Sequence, residues 1–126
     1  MAFLGKPVEI LLVEDNEGDV GLIEKVFEEI NIRNKLRVAT DGEEAIQFLH
    51  GKGKFSDSSL PEIVLLDLNL PKKDGREVLR EIKEDDVLKN IPVVVLTTSG
   101  AEKDILRSYD LHANAYVTNL LTLISL

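Results

Sequence analysis

Glu14 and Asp15 stand side by side where the apolar run Val8–Val13 stops, and Asp67 stands where a second run, Ile63–Leu66, stops. Thr97 ends a third run, and Thr118-Asn119 follow a short fourth, Ala115–Val117. If these runs are parallel strands, their carboxyl ends share one side of a sheet, where ligand sites of open α/β sheets form at the switch point of strand order. Three carboxylates converging there repel one another unless a cation or a proton joins them. Mg2+ suits such a crevice, because it is hard, octahedral and held by one or two carboxylates together with phosphate oxygens and water. An Asp carboxylate in that setting can act as a nucleophile toward phosphorus and form an aspartyl-phosphate while a metal neutralises the moving charge.

The elements that must place these side chains are legible in the hydrophobic pattern. Val8–Val13 reads as a first strand, and Val20, Ile23, Val26, Phe27 and Ile30 recur at helical spacing behind the turn-forming Glu14-Asp15-Asn16. Leu36–Ala39 is a second strand, and Ala45, Ile46 and Leu49 mark a helix running to about His50 after the cap-like Thr40-Asp41-Gly42. Residues 51–60 read as a solvated loop. Ile63–Leu66 is continuous in the way of a central strand covered on both faces. A third helix carries Val78, Leu79 and Ile82, Ile91–Leu96 is a fourth strand, a helix with Ile105 and Leu106 follows to about Tyr109, and Ala115–Val117 is the fifth strand. This alternation predicts an α/β fold with a doubly wound, five-stranded parallel sheet.

Composition narrows the function classes. The 126 residues carry 15 Lys+Arg against 23 Asp+Glu, a net charge of −8, and 44% are hydrophobic, which fits a single domain spanning 1–126. An acidic surface repels phosphate backbones and anionic lipid, so neither nucleic acid nor membrane is an expected partner. With no Cys, thiol catalysis and cysteine-ligated metals are excluded. No apolar run approaches the about 18 residues of a membrane span, and a cytoplasmic location is the expectation.

Taken jointly, Leu-Leu-Val-Glu14-Asp15-Asn16, Leu-Leu-Asp67-Leu-Asn69-Leu-Pro71-Lys-Lys-Asp74-Gly75, Val-Val-Val-Leu-Thr97-Thr98-Ser99 and Ala115-Tyr116-Val117 resemble a two-component response-regulator receiver domain from about Val8 to Thr118. The long loop at 51–60 and the Leu-Thr-Thr-Ser phrase look most like small stand-alone receivers associated with phytochrome-type histidine kinases. The resemblance implies a flavodoxin-like sheet of order 2-1-3-4-5. It implies that Asp67 accepts phosphate from a partner histidine kinase, and that Glu14, Asp15, Asp67 and the backbone carbonyl of Asn69 hold Mg2+. By the same likeness Thr97 binds a phosphoryl oxygen, Tyr116 is the switch aromatic, and Pro71 and Gly75 shape the loop after the acceptor. Output would pass to a downstream protein target, with no enzymatic activity beyond the domain's own phosphorylation and dephosphorylation.

Two departures bear on switching. Asn119-Leu120 stands where the family expects Lys-Pro, and a lost charge-assisted hydrogen bond costs roughly 1.5–3 kcal/mol. From Leu111 to Leu126 no Asp, Glu, Lys or Arg occurs, and only seven residues follow Asn119, so the fifth helix is expected to be truncated or altered in an atypical tail, 119–126. Such an apolar end invites a homodimer, through the fourth helix and fifth strand or through the altered C-terminus. Asn119 also motivates an alternative, a pseudo-receiver that binds partners without switching. A Mg-dependent aspartyl-phosphate phosphatase is a further alternative, although that chemistry wants an acid two residues after the nucleophile, where Asn69 stands.

Overall fold

Alternate side chains of β1 (Val8–Val13) serve two different cores, because successive residues of a strand point to opposite faces. Leu11 and Val13 join a cluster with Val64, Leu66, Val93 and Val95, onto which α2 (Gly42–Leu49) lays Ala45, Phe48 and Leu49. Val78, Leu79 and Ile82 of α3 (Gly75–Glu84) complete that face. Ile10 and Leu12 point the other way, with Leu65 and Leu96, against Ile23, Val20 and Phe27 of α1 (Glu17–Glu29). A computed structural model of the chain describes residues 7–51, 59–68, 70, 72–96 and 113–117.

All strand pairs are parallel, and the sheet order is β2-β1-β3-β4-β5, with β2 Asn34–Ala39, β3 Ile63–Asp67, β4 Val93–Leu96 and β5 Ala115–Val117. The expected doubly wound α/β sheet is therefore the observed one. The chain leaves β1 toward one edge and β3 toward the other, which makes the β1–β3 boundary the switch point.

Each described α-helix starts at a side chain that accepts from its first turn. The acceptors are Asn16 from Asp19 N, Asp41 from Glu44 N, and Asp74 from Arg76 N. Two strand limits differ from the sequence reading. β2 begins at Asn34 rather than Leu36, because Asn34 and Lys35 pair with Val8 and Glu9 while presenting polar side chains that hydrophobic patterning passes over. β4 begins at Val93 rather than Ile91, because Ile91 N–H is given to the Leu88 carbonyl at 2.9 Å at the end of a 3-10 turn, Leu88–Asn90, and Pro92 has no N–H to give. The expected helix to Tyr109, residues 52–58 of the loop, and the tail 119–126 lie outside the described residues.

Candidate functional site

The residue after β1 is Glu14, whose N–H is given to the Ala39 carbonyl of β2 at 2.9 Å. Its side chain is turned inward and is only 3% exposed, the one acidic residue among the buried ones described. Asp15 beside it is exposed, and Asp67, the last residue of β3, is half-buried. One carboxylate oxygen from each of Glu14, Asp15 and Asp67 lies within 4.8 Å of the others. The structure thus brings together three of the predicted residues at the switch point. Asn69, Pro71 and Thr97 lie outside the described residues.

The electrostatics of this triad follow from burial. Loss of water around Glu14 pushes its carboxyl up from 4.5 to about 8, helped by a hydrogen bond to Asp67 and by the charge of Asp67. Asn16 N–H, donating to Glu14 Oε2 at 3.2 Å, opposes the shift. A proton shared between the two carboxyl groups relieves the same repulsion that a bound cation would relieve. An all-carboxylate, all-oxygen donor set at a strand-end crevice fits a hard divalent ion.

Backbone contacts fix the end of β3. A Cβ at Gly75 would stand 2.5 Å from both the Asp67 carbonyl oxygen and Leu68 Cα, and Gly75 N–H donates to the Leu68 carbonyl at 3.1 Å. The first residue of α3 is therefore pressed against the chain that carries Asp67. Gly75→Ala is expected to cost about 1–3 kcal/mol, since backbone atoms cannot rotate away from an added methyl. Urea unfolding measures it, and a change below about 0.5 kcal/mol, ordinary for surface substitutions, would contradict the contact. Sequence reading missed a similar approach at Gly42, where a Cβ would collide with the Lys73 carbonyl. It joins the start of α2 to the loop after β3, where Lys72 adopts φ 62° and reaches Asp41 at 3.6 Å. The signal was available only as the phrase Asp41-Gly42, which a helix cap explains equally well.

Tyr116 pairs with Val95 in register, two residues before Thr97, and packs on the α2–α3 side of the sheet. Its hydroxyl accepts from Ala113 N–H at 3.2 Å.

A family model described as the response regulator receiver domain matches residues 10–122. The chain belongs to that family. It is a receiver of phosphorelay signalling and, as a receiver, a signalling domain. Response regulator Rcp1 of Synechocystis sp. (strain ATCC 27184 / PCC 6803 / Kazusa) is 52% identical over 112 residues, which cover 89% of this chain and 76% of that protein. The crystal structure of the phosphorylated cyanobacterial phytochrome response regulator RcpA superposes with a TM-score of 0.84 at 49% identity, covering 95% of this receiver and 88% of that chain. The Mn(2+)-bound form of Rcp1 gives the same TM-score, 0.84, at 50% identity, with 94% and 88% covered. Resemblance to the phytochrome-associated receivers thus extends through the fold. No described helix of this receiver is long and apolar enough to cross a membrane.

Proposed function

We propose that this receiver, a single domain over 1–126, takes a phosphoryl group onto Asp67 from the phosphohistidine of a phytochrome-type histidine kinase in the cytoplasm. The reading is carried by one observation, the convergence of the Glu14, Asp15 and Asp67 carboxylates at the switch point. An Asp67 oxygen forms the new bond to phosphorus as the bond from phosphorus to the donor imidazole nitrogen breaks, and the electron pair leaves with that nitrogen. Glu14, Asp15, Asp67 and the Asn69 carbonyl hold Mg2+, which when bound offsets negative charge on the phosphoryl oxygens. Support for a divalent ion comes from the donor set and from the Mn(2+)-bound relative, and the choice of Mg2+ rests on oxygen-only ligation.

Asn16 N–H, donating to Glu14 Oε2, keeps the buried carboxyl oriented, while Asp15 stands exposed beside it. Thr97 takes a phosphoryl oxygen as hydrogen-bond donor, and Tyr116 follows Thr97 through β4 to present the changed face to a downstream protein target. A homodimer through the fourth helix and fifth strand, or through the tail from Asn119, belongs to the same reading, because the stretch from Leu111 to Leu126 carries no Asp, Glu, Lys or Arg.

Beryllofluoride with Mg2+ tests the switch. Amides around Thr97, Tyr116 and the fourth helix are expected to shift in nitrogen–proton correlation spectra. Shifts confined to the loops flanking Asp67 would leave the second reading, a pseudo-receiver, which the uncharged Asn119 favours.

A further inference from the structure

The outer edge of β2 is built to receive a strand. Val8 N–H donates to the Arg33 carbonyl at 3.0 Å and Glu14 N–H to the Ala39 carbonyl at 2.9 Å, so odd-numbered residues of this stretch turn their backbone groups toward β1. Strand alternation then turns the N–H and C=O of Asn34, Leu36 and Val38 outward. No described strand pairs with that side, because β2 ends the sheet. The side chains alternate as well. Leu36 packs toward α1 with Phe27, whereas Lys35 and Arg37 share the face of Ala39, which belongs to the opposite core.

Two chemistries therefore flank the open edge. On the α1 side lies a groove of about 420 Å³ whose lining includes Phe27, Ile32, Leu36, Glu24, Glu28 and Arg33, with Ile30 and Val38 also exposed nearby. Three of the five exposed large hydrophobic residues described, Ile30, Ile32 and Val38, fall in this one region. On the other side stand the exposed cations of Lys35 and Arg37, neither in an ion pair among the described residues.

We propose that the β2 edge docks an extended polypeptide segment in which acidic and apolar side chains alternate. Added as a sixth strand, such a segment pairs its backbone with Asn34, Leu36 and Val38, sets its apolar residues over Leu36 and Phe27, and sets its acidic residues beside Lys35 and Arg37. Charge complementarity selects this occupant over a second copy of the chain. Two β2 edges paired antiparallel about Leu36 or Arg37 bring the cations of one copy against those of the other, and like charges directly opposite are destabilising. Along the groove Glu24 and Glu28 outnumber the single cation, Arg33, and disfavour acids on the α1 side, so the alternation matters as much as the net charge.

The probe is a short capped peptide alternating Glu and Val, titrated into the intact chain with amide shifts as readout. Shifts at Asn34, Leu36, Val38 and Phe27 are expected, and a peptide of the same composition with its glutamates in one block should bind about tenfold more weakly or worse. Reversing both cations in a Lys35→Glu, Arg37→Glu protein should transfer preference to an alternating Lys–Val peptide. Val38→Pro removes an outward N–H without touching the ladder to β1, and it should weaken the Glu–Val peptide while leaving unfolding cooperative. Equal binding of the block peptide, undiminished Glu–Val binding by the charge-reversed protein, or shifts that avoid residues 34–38 would each overturn the proposal. So would concentration-dependent shifts of those amides without peptide, because the edge would then belong to a second copy.

Discussion

Asp67→Asn is expected to end covalent phosphoryl uptake. Wild-type protein exposed to acetyl phosphate and Mg2+ should gain a phosphoryl adduct by intact mass, cleavable by hydroxylamine as an acyl phosphate is, and the variant should gain none above the donor-free level. Asparagine keeps the shape of the side chain but supplies no anionic oxygen to attack phosphorus. An adduct of wild-type yield in the variant would place the acceptor elsewhere and overturn the assignment. The same substitution has a second consequence in metal-free protein. The hydrogen bond to Asp67 and the charge of Asp67 both help raise Glu14, after burial, so removing that charge lowers Glu14 toward its ordinary range without restoring it. The variant's metal-free stability should accordingly fall less steeply with pH than that of wild type between about pH 4.5 and 8. A loss of uptake that came merely from misfolding would instead lower stability at every pH.

How far the sequence shows this site depends on the physical nature of each constraint. β3 reads clearly because a strand covered on both faces must be apolar throughout, and Ile63–Leu66 interrupted by Asp67 announces both the strand and its end. Glu14 and Asp15 are equally visible as acids beside one another, yet nothing in their order says that Glu14 turns inward and Asp15 outward. That difference comes from tertiary placement. Glu14 follows the fully buried Val13 and gives its own N–H to the Ala39 carbonyl, so its side chain is carried into the molecule with the strand. Close backbone approaches are fainter still. Gly75 and Gly42 act through the absence of a Cβ, and a glycine at a helix start gives the same letter whether it relieves a collision or merely follows a cap. The start of β2 falls two residues late in the hydrophobic pattern for a related reason. Asn34 and Lys35 contribute backbone rather than apolar surface, and hydrophobic periodicity does not register backbone pairing.

Glu14 makes the stability of the metal-free receiver fall as pH rises. Its folded carboxyl titrates near 8 against 4.5 ordinarily, so between those values the folded chain binds more protons than the unfolded one, and unfolding free energy declines with pH. The Glu14 contribution is fully present below about pH 4.5, is lost progressively through about pH 8, and changes no further above that. Asp85, held low by the N–H groups of Leu88 and Val87, acts below its ordinary 3.8, and Lys73, raised by Glu81, acts above its ordinary 10.5, so neither confuses this window. Subtracting the profile of Glu14→Gln isolates the effect, and superimposable profiles would contradict the buried acid. A divalent ion must displace the shared proton. Mg2+ affinity is therefore expected to climb toward tenfold per pH unit below about 8 and then level, with one proton released per ion bound at neutral pH. At 100 times its dissociation constant Mg2+ adds about 2.7 kcal/mol if it binds only the folded chain. Asp15→Asn separates the two roles, because Asp15 is absent from the causes that raise Glu14. Its metal-free pH profile should match wild type while most of the Mg2+ increment disappears. Retention of the full increment would remove Asp15 from the ligand set, and a flattened metal-free profile would show that the three carboxylates titrate as one unit rather than as a buried pair with an exposed neighbour.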